Sequence, residues 1–372
     1  MSRLRLAIVG AGHLGKFHAR LAASLPDARL VAVVDPIENA RNQLASETGA
    51  KPLDNIQDLF GLVDAAIVAT PTFSHSDVAR ELLTGGIHVL VEKPITSTVE
   101  QANELVQLAQ KQQLVLQVGH IERFNPAWKA VRKRLHNPKY ITARRLSSYS
   151  FRSTDVGVVH DLMIHDIDAV LSMVNSPITR VEAVGISVLG NSEDMVDARL
   201  HFSSGCIANL TASRVSHTAE RSMQVFTDEC CATVDFGARE ARIVEPTAEI
   251  LSRQFQVDML SVDQKSRLRE QLFAELLVNS EVAVEDSNAM LDEQLDFARA
   301  IRTSTDPLVT GADGRDALVV AESILQQVHA HQWDGIAGNR RGPMAQPQGD
   351  SVLEIDDYWS EDDTVILRRK AG

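Results

Sequence analysis

In DLMIHDID, residues 161–168, an aspartate and a histidine stand four apart inside a stretch that is otherwise apolar and helical in spacing. On a helix that spacing stacks Asp161 and His165 on one face, where a carboxylate can hydrogen-bond an imidazole and fix its tautomer. Such a pair can do acid–base work, and the same spacing also suits a helix cap, a surface pair or a satisfied buried histidine. A second reactive group is VEKP (91–94), which closes an apolar run. A partly buried lysine at a strand end can donate to a substrate oxygen and shuttle a proton, whereas a lysine that snorkels to water does neither. The third is GAGHLG (10–15), with Gly10, Gly12 and Gly15 in G-x-G-x-x-G spacing directly after a strand-like run and before a helical one. That arrangement gives a tight turn, a backbone bare enough for a pyrophosphate to approach, and a helix N-terminus facing the anion. Asp35 ends the second strand-like run, twenty residues beyond Gly15. It is placed to accept from ribose hydroxyls and to repel a 2′-phosphate, which favours NAD over NADP, and no arginine follows nearer than Arg41.

The elements that must position these groups follow from periodicity. Segments 4–10, 30–35, 63–70, 88–93 and 114–119 are nearly continuous in Val, Ile, Leu and Ala, as buried parallel strands are. Helix-period segments alternate with them, with stops at Gly49 and at Gly85-Gly86. Strict alternation predicts a doubly wound parallel sheet. After about residue 125 the period changes to two: VDARLHF (196–202) and CIANLTAS (206–213) flank an SSG turn, and runs at 140–150, 181–188 and 221–235 are similar. These predict an open, mostly antiparallel sheet of about six strands. Residues 250–300 and 314–328 are helical in spacing, and the sequence from about 335 mixes Gly, Pro, Gln and acidic clusters without period.

The expected class is therefore α/β: an N-terminal doubly wound Rossmann domain over 1–122, then an α+β substrate-binding and oligomerisation domain over 123–334. Its last helix, 314–330, is expected to pack back on the first domain, and 335–372 forms a C-terminal arm. The net charge of −13 and pI near 5.4 argue against nucleic acid or an anionic membrane as partner. Cys206, Cys230 and Cys231 are too few and too irregularly spaced for a disulfide framework or a metal site, so no metal is expected and the compartment is reducing. A strand signal almost at the start and the lack of a long apolar run lead to the expectation of a cytoplasmic protein.

GAGHLG, ATPTFSH (69–75), VEKP and DLMIHDID, in that order, resemble the Gfo/Idh/MocA family of NAD(P)-dependent oxidoreductases over roughly residues 3–330. The resemblance implies a Rossmann domain followed by an open-faced sheet that often forms the subunit interface, and hence a homo-oligomer. It implies a catalytic set of Lys93, Asp161 and His165. His165 would exchange the proton of a sugar hydroxyl, Asp161 would orient it or bind a neighbouring hydroxyl, and Lys93 would support the alkoxide or carry the proton itself. Cofactor contacts would come from Gly10, Gly12, His13, Leu14, Gly15, Asp35, Thr70, Pro71, His75, Glu92 and Lys93. GHIERFNPAW (119–128) and the glycine-free DLMIHDID are similar to the subgroup of UDP-N-acetylglucosamine 3-dehydrogenases. Glu122, Arg123 and Asn125 would then join Asp161 and His165 in holding the sugar or its diphosphate, unless Glu122 and Arg123 form an interdomain ion pair. Arg144, Arg145 and Arg152 are further candidates for a diphosphate. Two other readings stay open: a dehydrogenase of a free polyol or sugar such as myo-inositol, and a non-catalytic sensor that binds NAD.

Overall fold

Six short apolar strands lie side by side in the first third of the chain, and every neighbouring pair runs parallel. They are β1 (Leu4–Val9), β2 (Ala28–Val34), β3 (Lys51–Leu53), β4 (Ala65–Val68), β5 (His88–Glu92) and β6 (Leu116–Gly119). Helices α1 (His13–Ser24), α2 (Glu38–Thr48), α3 (Thr72–Thr84) and α4 (Val99–Gln112) alternate with them. The spatial order is β3-β2-β1-β4-β5-β6. The order reverses between β1 and β4, and the crevice outside the carboxyl ends at such a switch point is where ligands bind in sheets of this kind. Lys93 and His120 immediately follow β5 and β6 there. The three-residue β3 was not anticipated: it holds one buried residue, Leu53, and is set by pairing with β2. This computed structural model describes residues 3–151, 156–189 and 192–331.

The second sheet has eight strands rather than the six expected, in the order β14-β13-β12-β11-β7-β10-β9-β8. They are β7 (Tyr140–Leu146), β8 (Ile178–Ile186), β9 (Met195–Phe202), β10 (Ile207–Ser213), β11 (Glu220–Phe226), β12 (Cys231–Asp235), β13 (Glu240–Pro246) and β14 (Leu277–Glu281). All neighbours are antiparallel except β7 and β10. Two features account for the difference. The run 221–235 turns back on itself where the Thr227 amide donates to the Cys230 carbonyl, giving β11 and β12. The segment 250–300 is not wholly helical, because β14 interrupts it between α8 (Val262–Gln271) and α9 (Ala289–Thr303), after the short α7 (Ala248–Leu251). The anticipated β9–β10 turn is present, with Gly205 at φ 85° supplying a left-handed backbone.

One face of this sheet packs on α5 (Pro126–Arg132), α6 (Ile164–Leu171) and α10 (Gly311–Ala330) through Trp128, Ile141, Ile164, Leu210, Val225 and Ile324. The other face is mainly polar, laced by Arg144–Glu220, Thr211–Asp197 and Asn209–Tyr140 contacts. The alternation of apolar and polar residues along each strand dictates this division. Helix α10 touches α4 and β6 on one side and α6 and β8 on the other, so it ties the two sheets together. A Cβ at Gly314 would stand 2.5 Å from a Val118 methyl, so the bare glycine lets α10 press onto β6. No helix of the described residues is long and apolar enough to cross a membrane. Arg152 and the arm 335–372 lie outside the described residues.

Candidate active site

The glycine loop has the geometry an incoming pyrophosphate needs. Gly10 turns the chain at φ 100°, and a Cβ there would meet the Ala69 carbonyl at 2.6 Å. A Cβ on Gly15 would fall 1.8 Å from the Gly10 carbonyl oxygen, so α1 reaches β1 only because this residue is bare. In front of Gly12 there is open space to 4 Å, and as N-cap of α1 it gives no side-chain bond to the first-turn amides. Those amides are left for an anion. Asp35 is held against the loop: Oδ2 accepts from the Ala11 amide at 2.7 Å and Oδ1 from the Ile37 amide at 2.8 Å. A carboxylate has about four lone-pair directions, so ribose hydroxyls still have acceptors there. The loop and Asp35 therefore fit a dinucleotide.

The candidate catalytic residues Lys93 and Asp161 meet at the end of β5. The backbone from Val159 to Met163 winds as a π-helical turn, a widening often found at functional sites, and continues directly into α6. Lys93 reaches across from the first sheet, and its Nζ donates to the Asp161 carbonyl at 2.6 Å and to Asp161 Oδ1 at 3.2 Å. Lys93 and Asp161 are mostly but not wholly buried, with side chains 15% and 23% exposed. A charge-assisted bond from an ammonium is stronger than one from a neutral ring, so Asp161 is taken by Lys93. The bond anticipated between Asp161 and His165 is not formed. The Nδ1 atom of His165 is buried without a partner, while the residue itself is only half-buried, which leaves Nε2 as the nitrogen on the cleft side. Burial, followed by the charges of Lys93 and Arg145, pushes the His165 pKa well below its ordinary value, so the ring is neutral and able to accept a proton.

Other residues singled out in the sequence are placed differently. Glu92 faces inward: its Oε1 lies 2.7 Å from His18 Nε2, and the Glu293 carboxyl lies close by. Burial and the charge of Glu92 raise the Glu293 pKa well above its ordinary value, which favours its protonated form. The ring of His75 sits between the Thr70 and Pro94 carbonyls at 2.9 and 2.8 Å, so it ties the end of β4 to the lysine turn rather than offering a nitrogen to a ligand. Thr70 and Pro71 sit at the end of β4, with Thr70 Oγ1 accepting from Ser74, and His13 and Leu14 are exposed in the first turn of α1.

Glu122, Arg123 and Asn125 are not presented to the cleft as anticipated, because each is engaged by the protein. Glu122 accepts from Arg145 at 2.8 Å and from Asn125 at 3.0 Å. Asn125 also caps α5 by accepting from the Ala127 amide and donates to the Phe236 carbonyl. Arg123 donates to the Leu308 carbonyl and stands 3.8 Å from Asp168, so the alternative Glu122–Arg123 pair is not formed either. Arg145 is buried between Asp166 and Glu122; burial works against its charge, but the two carboxylates outweigh it and hold its pKa above the ordinary value. Arg144 lies on the open sheet face with Glu220. Arg145 is therefore engaged by the protein, and Arg144 points to the open face of the sheet, away from the helix-covered face that holds Asp166.

Sequence reasoning missed His120 and His160. His120 follows β6 directly, where the rule that strand ends line the crevice would have found it. It is fully buried, both ring nitrogens lack partners, and its ring stands 6.3 Å from that of His165, edge to face at 89°. Burial, then Arg123 and Lys93, lower its pKa to about 3. The unfolded chain takes up a proton near pH 6.5 and the folded one does not, so His120 costs nothing by protonation above that pH and destabilises the fold increasingly as pH falls towards 3. At pH 5 this amounts to about 2 kcal/mol. Lowering the pH from 7 to 5 should depress the thermal midpoint of the wild type more than that of a His120→Phe variant; equal depression would show that His120 does not carry the effect.

A cavity of about 410 Å³ adjoins the lysine turn, lined by Phe73, Pro94, Thr96, Gly157 and His160 among others. A larger one, about 700 Å³, lies near His88 and Leu116 at the amino ends of β5 and β6, remote from the reactive groups. We place the site at the smaller, because ligands bind at carboxyl ends in such sheets.

Two family models match the chain: "Oxidoreductase family, NAD-binding Rossmann fold" over residues 4–120 and "GFO/IDH/MocA C-terminal domain" over 129–232. UDP-N-acetylglucosamine 3-dehydrogenase of Acidithiobacillus ferrooxidans is 37% identical over 237 residues, 63% of this chain and 75% of the relative. The scyllo-inositol 2-dehydrogenase (NAD(+)) of Bacillus subtilis is 29% identical over 58% of this chain and 68% of the relative. Among solved structures, UDP-N-acetylglucosamine 3-dehydrogenase GnnA of A. ferrooxidans superposes with a TM-score of 0.77 at 31% identity, covering 88% of this chain and 98% of that one. Together with the glycine loop and the lysine that crosses between the sheets, these likenesses place the chain in the Gfo/Idh/MocA family, as an NAD(P)-dependent sugar oxidoreductase.

Proposed function

We propose that this protein oxidises the 3-hydroxyl of UDP-N-acetylglucosamine to a ketone, with NAD as acceptor, in the biosynthesis of amino-sugar lipid A or a surface polysaccharide. The observation that carries the chemistry is the contact of Lys93 Nζ with Asp161 beside a neutral His165. The choice of sugar is supported by the 37% identity to a UDP-N-acetylglucosamine 3-dehydrogenase. NAD is favoured over NADP by Asp35, whose charge at the end of β2 repels a 2′-phosphate. We further propose a division at about residue 122 into dinucleotide-binding and substrate-binding domains, a cytoplasmic location, and a homo-oligomer formed through the open face of the second sheet.

The glycine loop and Asp35 would hold the dinucleotide, which would supply the hydride acceptor for the sugar carbon. The chain supplies the rest. Lys93, at the end of β5, donates to the sugar oxygen and stabilises negative charge as it develops there. His165 Nε2 takes the hydroxyl proton. Asp161 anchors the lysine, and its placement in the π-helical turn fixes how far the ammonium reaches.

A second reading, oxidation of a free polyol, is favoured by the likeness to inositol 2-dehydrogenases at 29% and 31% identity, and the same three residues would serve it. The discriminating experiment follows the NADH absorbance band with UDP-N-acetylglucosamine, free N-acetylglucosamine and myo-inositol in parallel. An aminotransferase with glutamate is added to draw off the ketone. NADH formed with the UDP-sugar alone is the expected result; formation with inositol alone supports the polyol reading, and tight NAD binding without turnover points to a sensor.

A further inference from the structure

We infer that His120 is a positioning residue: it accepts, through one intervening water, the N–H at the inner nitrogen Nδ1 of His165 and so holds that ring in its working tautomer. This inference rests on the proposed function. A base that takes a proton at Nε2 needs its lone pair there, which puts the ring's own proton on Nδ1. That nitrogen is buried without a partner, and a buried donor calls for an acceptor. Asp161, four residues earlier, is held by Lys93. The charged groups around His165 are Lys93, Arg145 and Arg221, cations with no acceptor capacity.

The ring of His120 remains. It comes from the end of β6, is fully shielded from solvent, and has both nitrogens unsatisfied. The ring centroids stand 6.3 Å apart at an edge-to-face angle of 89° and no direct hydrogen bond joins the two rings, a separation that one water can bridge. The surroundings of His120 are Arg123, Lys93, Glu92 and Asp313. Burial with the two cations keeps it neutral, so it offers a lone pair without adding a charge to the site. As His165 gains a proton from the sugar, an accepting neighbour stabilises the imidazolium, which makes His165 a stronger base. An aspartate in this position would tie up Lys93 as well.

The test compares His120→Phe, which keeps a ring and loses both nitrogens, with His120→Gln, whose side-chain oxygen can still accept. In the phenylalanine variant, kcat should fall roughly tenfold or more while KM for the sugar and NAD binding change little. Its acidic limb in the pH profile of kcat/KM should move to lower pH, because an imidazolium without its acceptor loses its proton more readily. His120→Gln should restore the limb in large part. An unchanged limb overturns the inference, whether or not kcat falls, since a packing role alone would leave the limb in place.

If none of the three sugars leads the wild type to reduce NAD, the proposed function has failed, and the role of His120 is still decided by imidazole ¹⁵N spectra of histidine-labelled protein. His165 protonated on Nδ1 in the wild type and shifted towards Nε2 protonation in His120→Phe supports the inference. The same tautomer in both proteins overturns it.

Discussion

Replacing Lys93 with methionine should lower kcat by roughly 10²- to 10⁴-fold while NAD still binds, as read by steady-state kinetics beside a fluorescence titration of the cofactor. Methionine keeps the length of the arm and removes its charge. Two changes then act together. The developing alkoxide loses its donor, and the Asp161 carboxylate loses the partner that holds it at 3.2 Å. The charge of Lys93 is one of the causes that lower the His165 pKa, so its removal lets that pKa rise and the pH profile of the residual activity should shift to higher pH. His165→Ala should cost a similar factor, and the double variant should be little worse than the poorer single one, because groups acting on one proton transfer are not additive. A Lys93→Met variant within threefold of wild type would remove the lysine from the chemistry.

The glycine loop yields a paired result of comparable size. Gly15→Ala should destabilise the fold by about 3 kcal/mol or more, because the new Cβ falls 1.8 Å from a backbone carbonyl that cannot swing aside. Dinucleotide binding should be lost with it. Gly12→Ala has open space to 4 Å and should leave the thermal midpoint nearly unchanged, within about 0.5 kcal/mol. Its methyl group occupies the approach of the pyrophosphate, so the Kd for NAD should still rise at least about tenfold. Calorimetry and a binding titration on the two variants separate the effects. Wild-type affinity in Gly12→Ala would mean that the cofactor does not lie against this turn.

What could be read in advance, and what could not, has a physical boundary. The long strands of the parallel sheet are covered on both faces and so are nearly continuous apolar runs; β1, β2 and β5 announce themselves, as do the spaced glycines between β1 and α1. β3 does not, since a three-residue edge strand with a central proline carries no pattern of its own. β14 is hidden for a related reason: from Val244 to Asp292 no side chain is buried, so burial leaves no periodic mark and pairing with β13 alone makes the strand. The site was legible by residue type but not by partner. Asp161 and His165 stood out as a pair, yet the carboxylate went to a lysine 68 residues away. Glu122 and Arg145 were each assigned to a ligand and instead satisfy one another across 23 residues of chain. Hydrogen-bond partners chosen by tertiary packing leave no spacing rule in the sequence, and the same is true of the unsatisfied ring of His120.

The central claim is that Lys93 and His165 remove the proton of a sugar hydroxyl while hydride leaves the carbon that bears it. The most direct measurement uses UDP-N-acetylglucosamine deuterated at C3, mixed with the protein and NAD under the coupled conditions, followed by mass analysis of the reduced cofactor. The reduced nicotinamide should carry the deuterium, and His165→Ala should form it at least about a hundredfold more slowly. Reduced cofactor without deuterium would place the oxidation at another carbon, and undiminished transfer in His165→Ala would contradict the assignment of this centre.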